Sequence, residues 1–212
     1  MLDPRGQGKE LIMGDSLPQV FLTLHAYIHA ATTPGAPSVE DRVLAGLTDA
    51  QLRQCLDQHN SIVWLLWHIA RVEDLTINTG VRGVPEVLER GGWQARLGVK
   101  RRDIGTGMSD KEVAQFSAQV DVAAVRAYRA AVAQETRTGL TARDFEDLDK
   151  PVVGAGERAL ASGGLGPGAE YVAENMRIRP RWFLLCFEGV GHSYEHLGVA
   201  EHVARLLGRP GR

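Results

Sequence analysis

The stretch Gly191-His192-Ser193-Tyr194-Glu195-His196, near the C-terminus, sets two histidines four residues apart. In a helix such a pair leaves the same face about one turn apart, which suits two imidazoles sharing one metal ion. The surrounding sequence predicts a helix from about Pro180 to Leu207. Pro180 suits a first turn, and Gly208 followed by Pro210 suits a stop. Leu185, His192, His196, Val199, Val203 and Leu207 fall on one stripe at helical spacing, so both histidines are expected on the inward face. Gly189, Gly191 and Gly198 weaken the helix by about 1 kcal/mol each relative to alanine, and leave room beside the histidines for another helix or a ligand. Two core histidines satisfied by hydrogen bonds are the alternative to a metal pair.

A chain of 212 residues is long enough for a good-sized core. Its 44% hydrophobic and 24% charged residues are ordinary for a globular protein, and a formal net charge of -2 supplies no field to recruit nucleic acid or an anionic membrane. No apolar run approaches the ~20 residues of a membrane span. Met1 to Asp15 lacks an apolar segment of signal-peptide length, so a cytoplasmic location is expected. Cys55 and Cys186 form no CxxC and no disulfide framework, and Cys186 lies in an apolar run as a buried thiol. Residues 1–14 are expected to form a flexible arm, and 15–212 a single domain.

Working back along the chain, a first helix is predicted from about Ser16 to Ala31, with Ser16 as cap, Pro18 in the first turn and Phe21, Leu24 and Ile28 on its apolar face. It carries His25 and His29, a rival pair at the same spacing. Thr48 to Gln58 reads as a short amphipathic helix. Asn60-Ser61-Ile62-Val63-Trp64-Leu65-Leu66-Trp67-His68-Ile69-Ala70-Arg71-Val72-Glu73-Asp74-Leu75 then predicts a second long helix, capped by Asn60 or Ser61 and reaching about Asn78. His68 is surrounded there by aromatic and aliphatic residues, and its polar atoms need a partner. A metal shared with another helix would supply one, as would a hydrogen bond.

Val81 to Met108 is glycine-rich, with a turn of helix at Pro85–Arg90. Arg82, Arg90, Arg96, Lys100, Arg101 and Arg102 face Glu86, Glu89 and Asp103, a local positive excess that reads as a solvated surface or as a rim for an acidic small molecule. Trp93 alone interleaves with these charges, which argues against nucleic acid. A third long helix is predicted from Ser109, through the capping box Ser109-Asp110-Lys111-Glu112, to about Arg137, with Gly139 ending it. Lys150 to Gly168 reads as a long mobile loop of the kind that often carries function.

Four long helices without strands predict an all-α four-helix bundle with short extra helices and two long glycine-rich connections. Bundles of this kind build metal sites from facing helices. His68, His192 and His196 are the candidate ligands, and three imidazoles leaving an open position describe a catalytic rather than a structural metal site. Paired Glu-x-x-His motifs are missing, which disfavours a di-iron centre, and no G-x-S-x-G is present for a serine hydrolase. One divalent ion is expected, Zn or Ni first, with Fe, Co or Mn also suited. A thiol entering the open position would be deprotonated, and a water could become a hydrolytic nucleophile. Glu73 or Glu195 could orient a ligand ring, or be plain helix charges.

Asn60-Ser61…Trp64-Leu65-Leu66-Trp67-His68-Ile69-Ala70-Arg71…Glu73-Asp74, together with Gly105-Thr106-Gly107-Met108 and Gly191-His192-Ser193-Tyr194-Glu195-His196-Leu197-Gly198, resembles the DinB-like, YfiT-like superfamily over roughly Leu17 to Leu207. The resemblance implies a four-helix bundle that binds a divalent metal through one histidine on the second helix and a His-xxx-His on the fourth, positions that match His68, His192 and His196. It also implies, for some members, thiol S-transferase activity with bacterial thiols such as bacillithiol or mycothiol. The expected partners are therefore a small-molecule thiol and an electrophile, with a homodimer compatible and neither nucleic acid nor membrane expected. A metal-dependent hydrolase and a non-catalytic metal- or ligand-binding bundle remain as alternatives. The glycine-rich segment 151–168 departs from the compact members of the group.

Overall fold

The computed structural model describes residues 16–30 and 37–209. The expected N-terminal arm lies outside them. Among the described residues the chain forms eleven α-helices and no β-strand. They are α1 (Leu17–Ile28), α2 (Val39–Leu44), α3 (Asp49–Arg53), α4 (Ile62–Glu73), α5 (Val87–Arg90), α6 (Trp93–Leu97), α7 (Asp110–Gln119), α8 (Val122–Gly139), α9 (Ala155–Ala161), α10 (Glu170–Ile178) and α11 (His192–Leu206). Two π-helical segments, Asp74–Val81 and Phe183–Gly191, run on from α4 and into α11. No described helix is long and apolar enough to cross a membrane.

The centre of the bundle is α4. Ser61 caps it by accepting a hydrogen bond from the Trp64 backbone N–H at 3.1 Å, and every residue from Ile62 to Glu73 is buried. It packs against α8 on one side and α11 on the other, with α7 and α3 also against it. A helix buried all round must find partners within the protein for each polar side chain it carries. Arg71 shows how this shapes the fold. Its Nε and Nη2 donate to the Arg102 carbonyl at 3.0 and 2.6 Å, Nη1 donates to the Tyr128 hydroxyl at 2.9 Å, and Glu86 lies 2.5 Å from Nη1. Next to it, Asp74 accepts from the Tyr128 hydroxyl at 2.6 Å and from the Val87 and Leu88 N–H groups at 2.9 and 3.0 Å. The Gly-rich connection 82–104 is thereby stitched to α4 and α8.

Local sequence signals placed several boundaries correctly and missed others. Ser109 and Glu112 form the expected capping box, and a similar box at Thr48 and Gln51 starts α3. The third long helix is in fact two. Val120 turns extended at ψ 140, and Asp121 begins α8 by accepting from the Ala124 N–H at 2.7 Å. Gly139 is the last residue of α8 rather than its stop. Thr48 to Gln58 is helical only over α3. In α1, Ser16 makes no side-chain cap bond, and Leu24 is exposed while His25 joins Phe21 and Ile28 on the buried face.

The segment expected to be a mobile loop contains α9, which packs on α10. A Cβ at Gly156 would meet the Ala173 carbonyl oxygen at 2.4 Å, so glycine there permits a close helix–helix approach. The positive charges of the 82–102 connection are largely paired: Arg101 with Asp103 and Glu112, Arg102 with Glu89, and Arg82 and Arg90 with Glu135. Arg96 lies over the Trp93 ring. This is the solvated-surface arrangement rather than a rim for an acidic ligand.

Replacing Arg71 by methionine keeps length and apolar volume but strands Glu86 and disrupts Asp74 and Tyr128. Removal of one partner from a buried ion pair costs about 3–5 kcal/mol. Urea unfolding of Arg71→Met should show a loss of that size, and a loss below about 1 kcal/mol would show that the network is dispensable.

Candidate metal centre

His68 lies six residues into α4 and is 5% exposed. Trp64, one turn earlier, stacks on its ring with centroids 4.8 Å apart and planes 10° from parallel. The Ile104 carbonyl lies 2.5 Å from His68 Nδ1, so Nδ1 carries the proton and donates, leaving the Nε2 lone pair free. Gly105 makes that contact reachable. It sits at φ +82, and a Cβ there would meet Trp67 Cζ3 at 2.5 Å, so only glycine lets the loop lie against α4.

His192 opens α11 directly after the π-helical segment, and His196 follows one turn later. Their Nε2 atoms are 3.1 Å apart. Two nitrogens each about 2.0 Å from one tetrahedral ion would lie about 3.3 Å apart, so the spacing fits a shared cation. His68 completes the group, with its ring centroid 5.1 Å from that of His192 and 4.9 Å from that of His196, and ligand atoms of all three lie within 4.8 Å of one another. The three residues named from the sequence are thus brought together.

The donor chemistry agrees. Burial pushes His68 down to about 4, with the Ile104 hydrogen bond opposing and His196 adding to the shift. Burial, followed by His68 and His196, pushes His192 far below the usual imidazole range, and burial also lowers His196 against the opposing charge of Glu195. All three are therefore neutral near pH 7, the state a metal ligand requires.

These histidines face a cavity of about 450 Å³. Trp64, Met108, Met176 and Phe187 give it apolar walls, while Asn60, Asn175 and Glu188 add polar groups. Among the described residues Glu188 is the only carboxylate lining it. Burial, then the nearby Glu195, raises its pKa to about 7. Sequence reading passed over Glu188, although a single acid inside the apolar run from Phe183 to Val190 was a usable signal. It also missed Tyr171 and Asn175, which α10 brings to the cavity.

Two expectations need correction. The stripe drawn through Val199 is out of phase: Val199 is 39% exposed, and the buried face of α11 runs through Ser193, Leu197, Ala200, Val203 and Ala204. At 100° per residue within the regular helix α11, the two histidines fall at the edge of that buried face and Val199 falls beyond it. The second concerns Glu73, named as a residue that could orient a ligand ring. His25 and His29 do not compete for His68 but form a separate group with Glu73, which therefore orients no ring of the first cluster. Glu195 is exposed.

The fold and the site define a class: an all-α bundle whose central and C-terminal helices pool three neutral imidazoles beside a cavity. The chain belongs to the DinB superfamily, whose family model matches residues 37–165. That stretch contains His68 and ends before His192 and His196. No curated protein matches the chain.

The depressed imidazole pKa of His68 has a measurable consequence. In the unfolded chain histidine titrates near ~6.5, so above that pH neither state binds the proton. Below it the unfolded state binds protons that folded His68 refuses until about 4, so stability is lost as the pH is lowered through that window. In chelator-treated protein, the melting midpoint of the wild type relative to His68→Gln should be constant above pH 7 and decline from about pH 6.5 toward 5. Equal slopes in the two proteins would contradict the assignment.

Proposed function

We propose that the protein is a metal-dependent enzyme that transfers a low-molecular-weight thiol to an electrophilic small molecule, with His68, His192 and His196 holding the ion. The observation that carries this reading is the convergence of three neutral imidazoles on one cavity that also holds a carboxyl group poised near neutrality. Imidazole donors suit Zn or Ni best, and Fe, Co or Mn remain compatible. A bound divalent ion would supply Lewis acidity, favouring the thiolate over the thiol near pH 7.

The chain's own residues supply the rest. The Ile104 carbonyl fixes the His68 tautomer, and Trp64 covers the ring face. Apolar walls from Met108, Met176 and Phe187 would seat the body of the electrophile and exclude water. The Glu188 carboxylate accepts the thiol proton. The sulfur forms a C–S bond to an epoxide carbon as its C–O bond breaks, and the new alkoxide takes the proton back from Glu188. Proton balance is closed without another donor. A second reading, hydrolysis of a small molecule, has the same support, because a carboxyl near pH 7 can equally take a proton from water.

Purified protein would be incubated with bacillithiol, mycothiol or glutathione and a panel of epoxides and halides, with and without chelator. Metal-dependent consumption of one pairing is expected. Thiol-independent, metal-dependent loss of substrate would shift the assignment to hydrolysis, and no metal-dependent turnover would remove the enzyme reading. Glu188→Gln should lower kcat by about a hundredfold or more with metal content unchanged, and should remove a rising pH limb near 7.

A further inference from the structure

A second group of metal-ligating side chains lies away from the cavity. His25 on α1, His29 directly after its last residue, and Glu73 at the end of α4 bring ligand atoms within 4.8 Å of one another. Their exposures are 0%, 2% and 0%. The two rings stack with centroids 4.2 Å apart. His25 Nε2 donates to Glu73 Oε1 at 2.8 Å, and the Thr136 hydroxyl donates to the same oxygen at 2.7 Å. The other half of the group is different. His29 Nε2 and Glu73 Oε2 lie 3.0 Å apart yet are not aligned as a hydrogen bond, and neither atom has another partner. Buried polar atoms nearly always have one. Their 3.0 Å separation is that of two ligands on one cation when His29 Nε2 is unprotonated, and that of a His–carboxylate pair when it carries the proton.

The charges are compatible. Burial, then Arg129, holds His29 down at about 3, so it is a neutral donor near pH 7. Glu73, which accepts hydrogen bonds from His25 and Thr136, supplies the carboxylate oxygens. Arg129 on α8, a buried cation, is paired through Nε with Glu40 on α2 at 2.6 Å. Arg137, half-buried on α8, also feels the Glu73 charge.

We propose that His25, His29 and Glu73 hold a second divalent cation, which staples α1 to the buried end of α4. Two imidazoles and one carboxylate suit Zn, Fe, Co or Mn. Full enclosure leaves no route for a substrate, so the role is structural rather than catalytic. α1 has reason to need it: only Phe21, His25 and Ile28 of that helix are buried, and it packs mainly on α2, the Phe183–Gly191 segment and the 3₁₀ turn Ala142–Phe145. The inference does not depend on the thiol-transfer reading or on the first cluster binding metal.

Full-length protein refolded with Co²⁺ and passed through a desalting column would be assayed for cobalt per chain. His192→Ala/His196→Ala, which removes the first cluster, should retain one equivalent, and Glu73→Gln on that background should retain none. No cobalt in the folded double variant, or one equivalent retained in the folded Glu73→Gln derivative, would overturn the proposal. Wild-type protein gives a test that needs no variant. Amide exchange over residues 17–28 should slow on Co²⁺ loading by on the order of a hundredfold at a hundredfold excess of free ion over its dissociation constant. Unchanged exchange across α1, with cobalt bound elsewhere, would also overturn it.

Discussion

Everything in this structure depends on the complete burial of α4. Twelve consecutive residues, Ile62–Glu73, are removed from water, and three of them, His68, Arg71 and Glu73, carry groups that cannot be buried without partners. Each recruits a different part of the chain. His68 takes the Ile104 carbonyl and the two histidines of α11. Arg71 takes Glu86, Tyr128 and the Arg102 carbonyl, while Glu73 takes His25, His29 and Thr136. The hydrophobic faces bring the helices together, but these polar demands fix which residues meet.

The spacing of those three residues also separates the two histidine clusters. At 100° per residue, His68 and Glu73 leave α4 roughly 140° apart, so they face different neighbours. One direction opens on a cavity with apolar walls and a carboxyl group, and the other on a closed interior. The same chemistry, imidazole beside imidazole, is therefore placed in an accessible setting and in a sealed one, which is the physical basis for giving the two groups different roles.

How much of this was legible in the sequence follows from the range of each signal. Ser61 and Ser109 mark helix starts because capping is local, and the His192–His196 pair is visible because its geometry needs only one helical turn. The break between α7 and α8 is hidden because Val120-Asp121-Val122 preserves the apolar rhythm, and only Asp121 as a cap reports it. The helices α9 and α10 were missed since they are short, and the glycine of α9 that looks like a loop residue serves a close helix contact at Gly156. No pattern could have announced the Ile104 carbonyl, because backbone oxygens have no sequence signature. Glu73 was linked to the wrong histidines because its partners, His25 at 48 residues and Thr136 at 63, come from distant elements that no local pattern pairs with it.

The central claim is that His68, His192 and His196 together bind a divalent ion, and crystallography at a metal absorption edge tests it most directly. Crystals of the full chain grown with Co²⁺ would be measured above and below the cobalt edge. The account predicts an anomalous peak about 2.0–2.1 Å from the Nε2 atoms of all three residues. An ordered triad with no peak between its rings, in crystals shown by fluorescence to contain cobalt, would contradict it.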